Sequence, residues 1–235
     1  MGKLEDFLSG TRILKEVDSP VNGHIVVKTD LAWGTHIQAG GLTQSGGVVE
    51  SVWKSTFKEL KELRTEKIKD VLILGLGGGT IAKLVRGNFP DAKIVGVDLD
   101  SIMVDLGRKY LNLDNYYVDV VIRDAFEFLT NNKLPNTNHY DLVCVDLYQG
   151  DKYPEKFEKE SFLKLILKKL SPEGIVIFNR LYYGEKRPMA MRFLKKLEKI
   201  FGQVEVIHPE ANIMFLGRRF HGILSKISRR QKRKK

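Results

Sequence analysis

DVLILGLGGGTIAKLV, residues 70–85, decides the fold of this 235-residue chain. An apolar run, Val71 to Leu74, is followed by the glycine-rich segment GLGGG and then at once by a helical pattern. Glycines allow a tight turn with close approach of the backbone, and a helix N-terminus presents free N–H groups to a ligand. The segment therefore predicts a strand, a ligand-binding loop and a helix in succession.

The next apolar run, KIVGVDLD, ends in Asp98, nineteen residues after Gly79. A carboxylate at the end of the second strand can accept hydrogen bonds from both hydroxyls of a ribose. The alternative is that Asp98 caps the following helix, although Asp100 and Ser101 are also placed for that task. The glycine loop and the carboxylate together predict a nucleoside site.

Strand and helix patterns alternate from Asp70 onward. The strand candidates are residues 71–75, 93–98, 118–122, 141–146 and 174–179, and the helical patterns are 79–88, 101–112, 157–170 and 187–201. This alternation predicts an α/β, Rossmann-like fold with a mostly parallel sheet and helices on both faces. Two further runs, QVEVIH and NIMFLG, are separated by so short a link that they predict an antiparallel pair at the end of the sheet.

The first part of the chain has a different pattern. RILKEV, HIVVKTD and THIQAG are short β-prone runs separated by turn signals, and a helical pattern follows over residues 48–66. We therefore predict an N-terminal β-hairpin domain at residues 1–48, a Rossmann-like nucleoside-binding domain at 49–222 and a basic tail at 223–235.

Composition restricts the class of protein. With 43% hydrophobic and 29% charged residues the chain reads as globular. No apolar run reaches the roughly 18 residues of a membrane helix, and the N-terminus lacks the apolar core of a signal peptide. Cys144 is the single cysteine, so no intrachain disulfide can form. We therefore expect a cytoplasmic protein without membrane contact.

The net charge of +10 is concentrated at the C-terminus. Residues 226–235, KISRRQKRKK, carry seven basic residues and no acidic one, which leaves +3 for the remainder. Such a tail can make weak, non-specific contact with nucleic acid, or it can be a solvated end. The absence of interleaved aromatic residues favours the solvated end.

Acidic residues end three of the predicted strands, at Asp98, Asp124 and Asp146. Because the carboxyl ends of parallel strands meet at one edge of a sheet, we expect these side chains to line one crevice. The third glycine of a dinucleotide fingerprint is replaced by Thr80, which disfavours NAD. The histidines lack metal-ligand spacing, so no metal site is expected.

Taken together, these segments resemble the class I S-adenosylmethionine-binding transferases and, more closely, the spermidine synthase family. SPVNGHIVVKTD followed by GGLTQSG is similar to that family's N-terminal hairpin domain, including its glutamine, here Gln44. LGLGGGTIAKLV resembles its glycine loop, VDLDSIMVDLGRKYL its ribose-binding strand and helix, and DAFEFL its adenine-binding segment. The resemblance covers nearly the whole chain except the tail, and it implies a homodimer.

The resemblance also implies roles for individual residues. Asp98 would bind the ribose hydroxyls, Asp124 would accept from the adenine amino group, and Ala125 would leave room for the ring. Asp146 would face the reacting end of the donor, S-adenosylmethionine or its decarboxylated form. The nucleoside and its sulfur-bearing chain would rest on Gly75, Gly77, Gly78 and Gly79.

Three features on the acceptor side depart from the family pattern. The family's aspartate three residues after Asp146 is Gln149 here, its glycine-loop aspartate is Gly77, and its Tyr-His pair reads Trp53-Lys54. An amide is no useful base, and a lysine at that place would repel a cationic polyamine. Asp151 is the candidate replacement for the base, its alternative being an exposed turn residue.

The predicted function is therefore a transferase that moves an aminopropyl or methyl group to an unidentified acceptor, with an amine favoured. Two alternatives stay open at this point. One is a methyltransferase that acts on an acceptor other than a polyamine. The other is a non-catalytic nucleoside-binding protein.

Overall fold

The computed structural model describes residues 10–63, 68–131 and 139–219. Two β-sheets lie in these residues, a four-stranded sheet near the N-terminus and a seven-stranded sheet that follows it. The basic tail at residues 226–235 lies outside the described residues.

The small sheet is antiparallel throughout, with its strands in chain order. They are β1 (Thr11–Ser19), β2 (Gly23–Asp30), β3 (Gly34–Ala39) and β4 (Leu42–Gly46). The sequence predicts the first three; β4 was missed because its sequence, LTQSG, has a single apolar residue and no alternation. Helix α1 (Gly47–Leu63) follows without a linker, since Gly46 and Gly47 take the left-handed conformations, φ 71° and 52°, that turn the chain from strand to helix.

The large sheet confirms the predicted α/β fold. Its strand order is β10-β11-β9-β8-β5-β6-β7, and β7, β6, β5, β8 and β9 are parallel neighbours. The strands are β5 (Asp70–Leu74), β6 (Lys93–Asp98), β7 (Val118–Ile122), β8 (Tyr140–Val145), β9 (Leu170–Leu181), β10 (Val204–Ile207) and β11 (Asn212–Arg218).

Helices connect these strands and cover both faces of the sheet. They are α2 (Thr80–Asn88), α3 (Ser101–Leu111), α4 (Ala125–Thr130), α5 (Glu160–Lys169) and α6 (Lys186–Phe201). Short 3₁₀ turns occupy Leu113–Tyr116 and Glu155–Glu158. Sequence reasoning missed α4, because six residues are too few to show helical periodicity.

The predicted antiparallel pair closes one end of the sheet. β10 and β11 are antiparallel, and β11 is also antiparallel to β9, so β11 is inserted between β9 and the edge strand β10. The insertion brings the start of β11 beside the C-terminal end of β9, with Asn212 opposite Leu181.

Apolar side chains fill the space on both faces of the large sheet. One cluster joins α1 and α2 to the sheet and includes Trp53, Phe57 and Ile73; the other joins α5 and α6 to it and includes Phe162 and Phe193. A third cluster joins the small sheet to α3. Among the described residues, no helix combines the length and the apolar character that crossing a bilayer requires.

A buried carboxylate ties the turn between β1 and β2 to α3. Asp100, which is 2% exposed, caps α3 through Oδ1 by accepting from the N–H groups of Ile102 and Met103. Its Oδ2 accepts from Ser19 Oγ at 2.5 Å and from Asn22 Nδ2 at 2.7 Å. The two sheets are thus held together next to the end of β6, while the domain division at residue 48 stays a prediction.

Candidate active site

A cavity of about 310 Å³ opens between the two sheets at the carboxyl edge of the parallel strands. It is lined by residues that follow β5, β6, β7 and β8, and by residues from the small sheet and the start of α1. This is the edge at which open α/β sheets bind their ligands. The three predicted carboxylates, Asp98, Asp124 and Asp146, all line it.

The glycine loop brings the backbone of β5 against that of β8. A Cβ at Gly75, whose φ is 88°, would lie 2.1 Å from the carbonyl oxygen of Asp146, so only glycine fits there. The Gly77 N–H donates to Asp98 Oδ2 at 2.7 Å. Gly75 and Gly77 line the cavity.

Gly78 and Gly79 take a different place from the one predicted. Neither lines the cavity. The Gly78 N–H donates to Ser45 Oγ at 2.6 Å, and a Cβ at Gly79 would lie 2.5 Å from the side chain of Leu113. Their absent side chains allow the loop to pack against the small sheet and the 3₁₀ turn after α3.

Asp98 is partly buried, and its carboxylate is held by backbone groups. Oδ2 accepts from Gly77, and Oδ1 accepts from the Asp100 N–H at 2.9 Å. Burial raises the pKa of Asp98 above its ordinary value, although these backbone hydrogen bonds act to lower it. Because Asp100 caps α3, Asp98 is not needed as a cap, and a carboxylate has lone pairs left for two hydroxyl donors.

Asp124 and Ala125 lie at the end of the cavity next to β7. Asp124 caps α4 through Oδ1, and its Oδ2 accepts from Lys156 Nζ at 2.5 Å. Partial burial acts to raise the pKa of Asp124, but the Lys156 ammonium and the N–H groups of α4 outweigh it and lower the pKa. Ala125, which is 3% exposed, and the exposed side chain of Leu99 are apolar members of the cavity lining.

Asp146 lies at the floor of the cavity in a set of donated hydrogen bonds. Its Oδ2 accepts from Trp53 Nε1 at 2.9 Å and its Oδ1 from Asn179 Nδ2 at 2.9 Å. Asn179 Oδ1 in turn accepts from Asn212 Nδ2 at 2.7 Å. Burial raises the pKa of Asp146 to about 6, although the Trp53 and Asn179 hydrogen bonds act to lower it.

Gln44 joins the small sheet to the loop after β8. Its Nε2 donates to the carbonyl oxygen of Gly150 at 3.2 Å, and the residue lines the cavity. Gln149 also lines the cavity, and its backbone pairs with Lys152 to form a tight turn.

Asp151 is not brought to the site. It does not line the cavity, and its carboxylate pairs with Lys186 Nζ at 3.0 Å on the outer surface. The Lys186 ammonium lowers the pKa of Asp151, which weakens it as a base. The turn after Gly150 directs the side chain outward, so the geometry favours the alternative of an exposed turn residue.

Lys54 also lies away from the cavity. It is exposed on α1, whereas Trp53 is fully buried beneath Asp146. The sequence argument that Lys54 repels a cationic acceptor therefore loses its geometric basis.

Sequence reasoning missed four side chains that shape the site. They are Trp53, Lys156, Asn179 and Asn212, all within hydrogen-bond distance of Asp124, Asp146 or each other. Asn179 carried a usable signal, because it interrupts the buried apolar run IVIF of β9. Lys156 carried none, since a loop lysine is ordinary. The described residues hold no group of three or more potential metal ligands.

Comparison with known proteins gives two kinds of match. The family model described as the spermine/spermidine synthase domain matches residues 50–211. The eEF1A lysine and N-terminal methyltransferase homolog of Drosophila melanogaster is 29% identical over 143 residues, which cover 58% of this chain and 21% of that protein. The chain thus spans about a fifth of the length of that relative.

Solved structures share the fold. A probable spermidine synthase from Corynebacterium glutamicum superposes with a TM-score of 0.70 at 17% identity, covering 89% of this chain and 80% of that one. Human methyltransferase-like protein 13 in complex with SAH gives a TM-score of 0.60 at 22% identity, covering 72% and 82%. At these sequence identities, the two structures are evidence for the fold alone.

Proposed function

The chain belongs to the spermine/spermidine synthase family, and from that membership we propose that it is a transferase using a sulfonium nucleoside. The donor is S-adenosylmethionine or its decarboxylated form, and the group transferred to an amine is methyl or aminopropyl. The observation that carries the proposal is the meeting of Asp98, Asp124 and Asp146 with the glycine loop in one cavity.

The residues at the β6 and β7 end suit the nucleoside. Asp98 has lone pairs left to accept from two ribose hydroxyls, and Leu99 and Ala125 offer apolar contacts to a flat ring. Asp124 can accept from an exocyclic amino group, although Lys156 already occupies one of its oxygens. Displacement at a carbon bound to sulfonium depends mainly on the positioning of the two reactants and on electrostatic stabilisation of the transition state.

Asp146 suits the reacting end. An amine attacks only through a free lone pair, so a base must hold the proton that the amine loses. Asp146 is the acidic residue at this end of the described cavity lining, and its pKa of about 6 leaves it mostly ionised at neutral pH. This assignment replaces Asp151, which faces outward.

Methyl transfer is the second candidate within this proposal. It is favoured by the likeness to a methyltransferase in Drosophila and by the altered acceptor side. Aminopropyl transfer is favoured by the family model and by the lining near Gly77, where the described residues include no cation that could bind a donor carboxylate. The cationic residues of the described lining, Arg123 and Lys156, are at the Asp124 end.

Calorimetry with the two donors tests the proposal. We expect one of them to bind, and Asp98→Ala to weaken that binding by about tenfold or more, because charge-assisted hydrogen bonds to the ribose are lost. Asp119→Ala, on the exposed side of β7, is the matched control and should bind as the parent does. Binding of neither donor, or full affinity in Asp98→Ala, contradicts the nucleoside site.

The remaining expectations belong to the same proposal. We expect a metal-independent enzyme of the cytoplasm that forms a homodimer, and full activity in EDTA would support the first point. Leu31 and Trp33, at the turn after β2, are 95% and 47% exposed, and apolar surface of this kind supports a subunit contact. Light scattering of the whole chain would measure the mass of the assembly.

A further inference from the structure

The cavity continues past Asp146 along the edge of the sheet. The nucleoside end lies at β6 and β7, and the opposite end lies at β8, β9 and β11, where Asn179, Ala211 and Asn212 line it. Because neighbouring strands are about 4.8 Å apart, the start of β11 lies about 10 Å beyond β8. This end is therefore the place for the molecule that receives the transferred group.

The lining of this end is apolar or neutral. The first turns of α1 contribute Val48, Val49 and Val52, and the opposite side contributes Leu181 and Tyr183. Of the described residues that line this end, only Asp146 is acidic. Among carboxylates that do not line the cavity, Glu50 pairs with Lys83 at 2.7 Å and Asp151 with Lys186 at 3.0 Å, while Glu210, beside Ala211, is exposed.

Two side-chain amides at this end, those of Asn179 and Asn212, are hydrogen-bonded to each other. Asn212 Nδ2 donates to Asn179 Oδ1, and Asn179 Nδ2 donates to Asp146 Oδ1. Both hydrogen-bonding ends of the Asn179 amide are therefore used in orienting Asp146. Apart from Asp146, an ammonium group lying along this wall finds no carboxylate among the described lining residues.

We propose that the acceptor carries one amino group on an uncharged chain: Asp146 receives the amine, and the wall of α1, β9 and β11 receives the chain. This inference rests on the proposed function and names the substrate class of its acceptor. The amine gives one proton to the Asp146 carboxylate, and its lone pair forms the new N–C bond. The C–S bond breaks, and its electron pair stays on sulfur as a neutral thioether.

A diamine of the same length fits this end poorly. Its second ammonium would be taken from water and placed against valine and leucine side chains without a counter-charge, and burying an unpaired charge is costly. Only the diamine has this cost of desolvating a second charge. The affinities of a monoamine and a diamine with equal carbon chains therefore show whether this end of the cavity accepts a second ammonium group.

The test compares n-butylamine with putrescine, which differ only in the second amino group. Calorimetry is done on the full chain saturated with the thioether nucleoside of whichever donor binds. We expect n-butylamine to bind at least about tenfold more tightly than putrescine. Equal or tighter binding of putrescine, or binding of neither amine, overturns the inference while leaving donor binding intact. Failure of every nucleoside to bind overturns the proposed function itself.

A gain of function provides the second test. Ala211 is exposed at the turn before β11 and lines the cavity, so Ala211→Asp adds a carboxylate at the far end without burying a charge in the core. We expect it to shift the ratio of the two affinities towards putrescine by about tenfold. Ala32→Asp, at the exposed turn after β2, makes the same change away from the cavity and should leave the ratio unaltered. If the ratio of the two affinities is also unaltered in Ala211→Asp, the proposed position of the acceptor's carbon chain is overturned.

Discussion

Asp146 shows two opposing effects on one carboxyl group. Burial favours the neutral acid, whereas the hydrogen bonds donated by Trp53 and Asn179 favour the carboxylate. An indole N–H can only donate a hydrogen bond. The Trp53 contact therefore stabilises the carboxylate and is weakened when Asp146 is protonated on Oδ2. The ionisation of Asp146 therefore depends on burial first, and also on a residue on α1, outside the parallel strands.

Trp53→Phe should move the pH dependence of turnover. With Asp146 as the base, activity should rise with pH through a value near 6. Removing one hydrogen bond to the carboxylate should raise that value by about one pH unit, because the charged form loses a donor. The measurement is the pH profile of kcat/KM. Trp33→Phe, at the exposed turn after β2, is the matched control and should keep the parent profile; an unshifted Trp53→Phe profile would contradict the role of Trp53.

Lys156→Met should cost a small, pH-dependent amount of stability. The folded-state pKa of Asp124 is lowered, so its contribution is present above the unfolded pKa, near 4, and is lost as the pH falls through the folded value. Lys156 is 49% exposed, so the pair should be worth less than about 1 kcal/mol at pH 7. Urea unfolding at pH 7 and pH 3 measures it, with Lys164→Met as the control. An equal loss at both pH values would show that packing, not charge, is responsible.

At the scale of single residues, the sequence predicts which strand ends meet at the cavity better than it predicts the side chains around them. Asp98, Asp124 and Asp146 follow apolar strands, and the ends of parallel strands must meet at one edge. Lys156 and Trp53 reach the site through a 3₁₀ turn and a helix packing angle, neither of which leaves a periodic signal. The outward direction of Asp151 depends on a turn of a few residues, which chain spacing does not specify.

At the scale of elements, segments with a clear apolar pattern were predicted and segments without one were missed. The helices and strands of the βαβ units were predicted from periodicity, with ends that differ by a few residues. α4 was missed because six residues do not complete a helical pattern, and β4 because LTQSG has a single apolar residue and so shows no alternation. The join between the small sheet and α3 was also beyond prediction, since it depends on Ser19, Asn22 and Asp100 meeting across the fold.

Asp100→Ala should loosen this join. The change removes the N-cap of α3 and leaves the Ser19 hydroxyl and the Asn22 amide without their acceptor. The expected loss in the free energy of unfolding is about 2–4 kcal/mol, from one cap and two largely buried hydrogen bonds. Denaturant unfolding measures it. Asp114→Ala, at an aspartate that is 73% exposed, should change stability by less than about 0.5 kcal/mol. A comparably small loss in Asp100→Ala would show that the two sheets hold together without the join.

At the scale of the whole molecule, the cavity belongs to both sheets. Gln44 and Ser45 of β4 contact the loop after β8 and the glycine loop, while Ile25, Val27 and Ile37 pack on α3. The small sheet is therefore one wall of the cavity as well as an appendage to the fold. A ligand bound there should stabilise both sheets together.

Binding of the thioether nucleoside should raise the melting temperature of the whole chain in a single transition. At a concentration 100 times Kd, ligand binding adds about 2.7 kcal/mol to the free energy of unfolding, which corresponds to about 5–10 °C for a chain of this length. Ile25→Ala, which empties a buried position between the small sheet and α3, should lower the melting temperature but keep the ligand-induced rise. Asp98→Ala should lose most of that rise at the same ligand concentration. Differential scanning calorimetry distinguishes these outcomes. Two transitions, only one of which responds to ligand, would contradict the prediction. They would mean that the small sheet melts independently and takes no part in holding the nucleoside.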